Sequence, residues 1–124
     1  MRCRGFTVME LLVVLLLVAL LASLVTPLVT GSIHRAKEST LKENLYILRK
    51  AIDEYYTDAG AYPEELEALV EKRYIRKVPE DPLTGSKDTW ILVHDEGEDG
   101  TGGIIDVRSG SEEKAGDGTR YSDW

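Results

Sequence analysis

The chain has 124 residues, with 15 basic and 22 acidic side chains that give a formal net charge of −7. This balance excludes a basic nucleic-acid-binding protein, and the length limits the chain to one membrane segment and one small globular domain. The only cysteine, Cys3, cannot form an internal disulfide, so core packing, neighbouring subunits or a metal must stabilise that domain.

An almost unbroken apolar run extends from Phe6 to Val29, and its only ionisable side chain is Glu10. The 23 residues 11–33 carry no charge. As a helix they would extend roughly 35 Å, which is enough to cross the hydrocarbon core of a membrane. Arg2 and Arg4 precede the run, which predicts a cytoplasmic N-terminus and a globular part in the periplasm or outside the cell.

Pro27 lies inside this run and removes one backbone hydrogen-bond donor. We therefore expect the helix to weaken or kink at this position. Two interpretations stay open. The residue is either a proline that a membrane helix tolerates, or a built-in weak point where the helix bends or melts.

The helical pattern continues beyond the apolar run into a segment with many charged residues. Apolar residues recur there at steps of 4, 3, 4 and 3, which traces one stripe along an α-helix. Gly60 suits the position that follows a helix C-terminus. We predict one long helix that ends near 58–60, with its first half in lipid and its second half amphipathic and in water. The stripe consists of Leu41, Leu45, Leu48, Ile52 and Tyr55.

A short second helix is predicted after the long one. Pro63 is placed for the first helical position, acidic residues fill the first turn, and the helix should end near Lys72 and Arg73. Residues 79–85 contain two prolines and a glycine, which predicts a loop.

The C-terminal third predicts a small antiparallel sheet. Residues 90–94 and 104–107 have strand patterns and are separated by a turn rich in glycine and acidic residues. The tail 109–124 is polar, with Tyr121 and Trp124 as expected anchors. The predicted fold class is therefore α+β, with a long helix, a short helix and a small antiparallel sheet.

No catalytic pattern stands out in the sequence. The two histidines, His34 and His94, are far apart, and neither has the spacing of a zinc ligand. Neither a nucleophile elbow nor a glycine-rich phosphate loop is recognisable. We therefore predict a protein that is not an enzyme. Four tyrosines are expected to pack against the sheet or to lie at contacts between subunits: Tyr46, Tyr55, Tyr56 and Tyr62.

The lone carboxylate of Glu10 needs an explanation, because a charge inside a membrane helix is costly. It could lie at the interface and stay hydrated. An ordinary secretory signal explains it poorly, since the basic leader is very short and no Ala-x-Ala-like site follows the apolar run. The stretch Gly5-Phe6-Thr7-Val8-Met9-Glu10, with the apolar run after it, resembles the leader junction of type IV pilins and type II secretion pseudopilins.

This resemblance implies a processing scheme. A prepilin peptidase would cleave between Gly5 and Phe6, and the new N-terminal Phe6 would be N-methylated. Residues 1–5 would be the leader, residues 6–33 the transmembrane and filament-core helix, and residues 34–124 the periplasmic globular domain.

The resemblance also implies an assembly role for Glu10 and Pro27, which fall where the family places a glutamate and a proline. Cleavage would create a cationic α-amine on Phe6. Glu10 of one subunit would then meet the Phe6 amine of its neighbour, and this pairing would fix the register between subunits.

The soluble part resembles the major pseudopilin of type II secretion, through Tyr62-Pro63, the loop 79–85, Trp90 and Trp124. The cysteine pair of many type IV pilins is missing. The resemblance implies a single-pass inner-membrane protein that polymerises into a periplasmic pseudopilus to drive protein secretion. Its partners would be copies of itself, prepilin peptidase, minor pseudopilins, an assembly platform with its ATPase, and membrane lipid, with no nucleic acid.

Two alternatives remain open at this stage. The first is a type IV pilin or minor pilin for adhesion, motility or DNA uptake. The second belongs to a different class, a single-pass, membrane-anchored periplasmic module for binding or sensing.

Calcium is the one cofactor that the resemblance implies, because major pseudopilins often bind it in the loop after the last strand. Ser109, Glu112 and Asp117 are the candidate side-chain ligands, with backbone carbonyls completing the shell. The acidic residues depart from the family pattern, which offers two adjacent aspartates where this chain has Asp117 alone. The alternative is a solvated acidic loop fixed by Tyr121 and Trp124.

Overall fold

A computed structural model of the chain describes residues 5–97 and 102–124. Its helices, strands and single 3₁₀ turn confirm the predicted α+β class with a pilin-like arrangement. The chain forms two compact units, 1–36 and 37–124. The leader residues 1–4 and the middle of the predicted turn, 98–101, lie outside the described residues. The elements are α1 (Val8–Ala59), α2 (Leu66–Glu71), β1 (Ile91–His94), β2 (Ile104–Arg108) and the 3₁₀ turn Tyr121–Asp123.

The first unit consists of the N-terminal part of α1 and the residues before it. By length and composition, α1 could cross a membrane. The large apolar side chains that the structure describes between Phe6 and Ile33 lie exposed. Pro27 lies inside α1, which continues beyond it, so the weak-point interpretation stays a prediction.

The second unit has its core along the remaining part of α1. The predicted stripe is confirmed: Leu41, Leu45, Leu48 and Ile52 are all buried. The predicted end of the helix is also confirmed, since α1 ends at Ala59. Gly60 follows with a φ of 73°, and its amide donates to the carbonyl of Tyr56 over 2.8 Å. The other buried apolar side chains are Ala51, Leu66, Leu69, Ile75, Trp90, Ile104, Val107, Ala115 and Tyr121.

The start of α2 was predicted wrongly. The helix begins at Leu66 rather than at Pro63, and it ends at Glu71, one or two residues before the predicted end. Pro63 is fully buried, and its carbonyl accepts a hydrogen bond from the amide of Ile104 over 2.7 Å. Glu65 is still extended, with a φ of −139°. The contact with β2 therefore holds the chain extended at the point where the sequence favours a helix.

The two strands form the predicted antiparallel hairpin. Ile91 pairs with Arg108, and the register shifts between Val93 and His94. Trp90, which was predicted to begin β1, lies just before it. Its indole N–H donates to the carbonyl of Pro79 over 2.7 Å and fixes the 79–85 loop beside the sheet.

The tyrosines divide into packed and exposed residues. Tyr46 has an exposed fraction of 66% and lies outside the buried stripe of α1, so it does not pack against the sheet, and its place at a contact between subunits stays a prediction. Tyr56 stacks on Tyr62 with ring centroids 4.4 Å apart. Tyr55 contacts Tyr74 edge to face, with centroids 5.8 Å apart. Tyr55, Tyr56 and Tyr62 thus each contact another tyrosine.

Candidate functional site

The segment at the start of α1 leaves the predicted cleavage site accessible. Gly5, Phe6 and Thr7 precede the helix and are exposed, and the exposed fraction of Phe6 is 85%. A Cβ placed on Gly5 would meet no atom within 4 Å. A peptidase could therefore reach the peptide bond between Gly5 and Phe6 without unfolding the helix.

Glu10 has a local partner that the sequence reasoning missed. Its backbone amide donates to Oγ1 of Thr7 over 3.1 Å, and Thr7 immediately precedes the helix. Thr7 is therefore the N-cap, and Glu10 is the third helical residue. The signal was present in the sequence, since Thr-x-x-Glu before an apolar run is the signature of a capping box.

This position changes the electrostatics of Glu10. The carboxylate lies in the first turn of α1, where free backbone amides give the helix terminus a partial positive charge. A negative charge is favoured at that end. The helix itself therefore offsets part of the cost of an acid in an apolar segment.

Asp81 is the second polar centre that sequence reasoning missed. It is completely buried. Its Oδ2 accepts hydrogen bonds from Ser109 Oγ at 2.6 Å and from the Gly110 amide at 3.0 Å. Its Oδ1 accepts from the Leu83 amide at 3.0 Å. One side chain therefore closes its own loop and fastens that loop to the beginning of the tail. The readable signal was an aspartate next to a proline and four residues before Gly85, which favours a local Asx turn.

Arg49 joins α1 to both β2 and the end of the tail. Its Nε donates to Asp106 Oδ1 over 2.8 Å. Its Nη2 donates to the main-chain oxygens of Val107, at 3.1 Å, and Trp124, at 2.5 Å. A guanidinium suits this role because it presents several donors in a fixed plane. In the sequence, Arg49 is only one of the charged residues in the amphipathic second half of the long helix.

Glu38 also anchors the tail to α1, about three helical turns before Arg49. Its Oε1 accepts hydrogen bonds from the Tyr121 hydroxyl at 2.7 Å and from the Gly116 amide at 3.3 Å. Both bonds lower the pKa of Glu38 below its ordinary value of 4.5, and the bond from the Tyr121 hydroxyl has the larger effect. Burial is the largest cause that raises the pKa of Tyr121, to about 12, and the hydrogen bond to Glu38 is the second.

The pH range over which this anchor acts follows from those directions. Because the pKa of Glu38 is lowered, its contribution to stability is present above pH 4.5 and is lost as the pH falls through the lowered value. Because the pKa of Tyr121 is raised, its contribution is present below pH 10.0 and is lost as the pH rises towards about 12. The anchor is therefore intact at neutral pH.

The structure places the three candidate calcium ligands in different settings. The hydroxyl of Ser109 is buried; it donates to Asp81 and accepts from the Ser111 amide over 3.2 Å. Asp117 Oδ1 accepts from Thr119 Oγ1 at 2.6 Å and from the Thr119 amide at 2.9 Å. Glu112 is exposed.

These hydrogen bonds leave the candidate ligands poorly prepared for a metal. Ser109 and Asp117 are already engaged by protein groups. Within residues 5–97 and 102–124, no group of three or more His, Cys, Asp or Glu residues is arranged to hold a metal ion. A calcium shell also takes hydroxyl and carbonyl oxygens, so calcium binding by these residues stays a prediction.

Two family models match the chain. The model described as type II secretion system, protein G, matches residues 28–123, and the prokaryotic N-terminal methylation motif matches residues 1–26. The chain belongs to the type II secretion protein G family. No curated protein and no solved structure gives a significant match.

Membership of the protein G family confirms the resemblance seen in the sequence and supports a pseudopilin or pilin role. The family is structural rather than enzymatic, and it implies assembly into a pseudopilus with other secretion components. Together with the apolar helix, it indicates a membrane-anchored protein of a secretion system. The roles of individual residues, from Gly5 to Asp117, stay predictions.

Proposed function

We propose that this protein is a structural subunit of a type II secretion pseudopilus, processed after Gly5 and polymerised through its N-terminal helix to drive protein secretion. The observation that carries the proposal is the first unit, an exposed apolar helix with one acid in its first turn. Such a surface needs lipid or similar helices around it, since water solvates it poorly. The protein G family match supports the helices of other copies of this chain as that surrounding.

The proposed mechanism uses the helix in two settings. Before cleavage, residues 6–33 store the subunit in the inner membrane, with a cytoplasmic N-terminus and the globular domain in the periplasm. After cleavage, the α-amine of Phe6 and the carboxylate of Glu10 pair between neighbouring subunits, and the apolar helices pack together in the filament core. An ATPase and an assembly platform would supply the work that extracts subunits from the bilayer.

The N-terminus of the mature protein tests this proposal. We expect mass spectrometry of protein from membranes with an intact secretion system to find a chain that begins at N-methylated Phe6. The matched control is Gly5→Leu, which should keep residues 1–5 because a large side chain replaces the glycine that the peptidase recognises. Wild-type protein that still begins at Met1 would contradict the proposal, and so would normal cleavage of the Gly5→Leu chain.

Calcium binding by Ser109, Glu112 and Asp117 stays a prediction from the family resemblance. Because Ser109 and Asp117 already have protein partners, we expect the alternative, a tail held by Glu38, Arg49 and Asp81 without metal. Adding millimolar calcium, or removing it with a chelator, should leave the melting temperature of the full chain in detergent unchanged. A site with a dissociation constant of about 0.1 mM would instead stabilise the protein by roughly 1–2 kcal/mol at 1 mM calcium. A matching rise in melting temperature, absent in Asp117→Asn, would establish the calcium site.

A further inference from the structure

The surface between α1 and the tail contains an open groove lined by three basic and two acidic side chains. The groove has a volume of about 640 Å³ and lies within the second unit. Three basic side chains line it, Lys42 from α1 and Lys114 and Arg120 from the tail, together with the indole ring of Trp124. Lys42 Nζ lies 4.9 Å from the centroid of that ring. We call this surface the basic groove.

Two of these cations are held next to each other. Lys114 and Arg120 are partners in an antiparallel β-bridge, which brings their side chains together. Like charges in this arrangement repel each other. Among the described residues, none of the three cations lies within 4.0 Å of a carboxylate oxygen, since the ion pairs found there are Arg49–Asp106 and Lys50–Glu54. An anionic partner would remove the repulsion between them.

The same chain carries a complementary acidic segment. Asp95 and Glu96 follow β1 and begin the turn of the hairpin, and both are exposed. In the part of the chain that the structure describes, neither forms a salt bridge. The acidic segment thus offers carboxylates without a salt bridge. In the groove, Lys42 already attracts Glu38 and Asp117, so the cations left for an anionic partner are Lys114 and Arg120.

We propose that the basic groove binds the acidic segment Asp95-Glu96 of a second copy of this chain. The inference rests on the proposed function, because it supplies a contact between globular domains of a polymer. Two different surfaces that complement each other form a head-to-tail contact, which propagates into a filament rather than closing into a dimer. The groove also contains Asp117 and Asp123. Because like charges repel, the proposed contact places the carboxylates of the partner beside Lys114 and Arg120 and away from these two acids.

Charge reversal in the full chain, expressed with its secretion system, tests the contact. Lys114→Glu with Arg120→Glu should reduce filament yield at least about tenfold, because repulsion replaces attraction. Asp95→Lys with Glu96→Lys should have a similar effect, and the four changes together should restore the yield to within about threefold of wild type. The matched control is Arg76→Glu with Lys87→Glu, which changes the charge equally outside the groove and should keep a normal yield.

Cysteine cross-linking tests the same contact without depending on filament yield. In a Cys3→Ser background, Glu96→Cys with Lys114→Cys should form disulfide-linked dimers and higher species in membranes, whereas Glu96→Cys with Arg76→Cys should not. Absence of cross-linking, or no rescue by the combined charge reversal, overturns the proposal, and loss of filaments without rescue would point to an anionic lipid or another partner. Failure of the proposed function is distinguishable, because it would appear as wild-type protein that is uncleaved and forms no filaments.

Discussion

Replacing Glu10 by valine should strongly impair filament assembly and leave cleavage after Gly5 largely intact. This is the expected result because cleavage depends on the exposed segment around Gly5 and Phe6, which lies before the helix. In the proposed mechanism, assembly depends on the carboxylate of Glu10, which lies in the first turn of α1 and would pair with the α-amine of a neighbour. A hydrogen bond to a charged group contributes about 1.5–3 kcal/mol. Its loss at each contact would lower the association constant between subunits roughly tenfold to a hundredfold.

Two further substitutions distinguish the effect of the Glu10 charge from the effect of helix capping by Thr7. Glu10→Gln keeps the size of the side chain and removes the charge, so it should impair assembly almost as strongly as Glu10→Val. Thr7→Ala removes the N-cap that binds the Glu10 amide, at a cost of about 1 kcal/mol to the start of the helix. It should therefore impair assembly less than Glu10→Gln.

The measurement is the ratio of filament to membrane-bound subunit, with the mature N-terminus checked by mass spectrometry. Normal filament formation by Glu10→Val or Glu10→Gln would show that the acid has no role in assembly. A stronger defect in Thr7→Ala than in Glu10→Gln would assign the effect to helix capping instead.

The second large effect is expected at Asp81. Replacing it with alanine should lower the free energy of unfolding of the globular domain by about 3 kcal/mol, because three donors lose their acceptor inside the protein. Ser109→Ala removes one of those donors and should cost only about 1 kcal/mol. Asp88→Ala, an exposed aspartate in the same loop, is the matched control and should stay within about 0.5 kcal/mol of wild type.

Denaturant unfolding of the full chain in detergent, followed by tryptophan fluorescence, measures this effect. Both tryptophans, Trp90 and Trp124, belong to the second unit, so the signal reports the globular domain. An Asp81→Ala protein as stable as Asp88→Ala would show that the buried carboxylate does not fasten the tail. The expected order of stability is Asp88→Ala, then Ser109→Ala, then Asp81→Ala.

The sequence was most informative where the physical signal is local or periodic. The uncharged stretch 11–33 predicted a helix long enough for a membrane, and the stripe from Leu41 to Ile52 predicted the buried face of α1. Gly60 predicted its end, because glycine adopts a positive φ with little strain. Each of these inferences needs only neighbouring residues and the period of a helix. The Thr7 cap was also local, and it was missed only because the Thr-x-x-Glu pattern was not recognised.

Only the tertiary structure decided how the globular domain is fastened. Asp81 and Ser109 are 28 residues apart, Arg49 and Asp106 are 57 apart, and Glu38 and Tyr121 are 83 apart. No periodicity relates such pairs, because the partners come together only after the hairpin and tail have packed on α1. The same reason explains the wrong start of α2, where the bond between Pro63 and Ile104 overrides a local preference for helix. The sequence by itself thus determined the long helix α1 and the leader motif, whereas long-range packing set the start of α2 and selected the polar residues that hold the domain together.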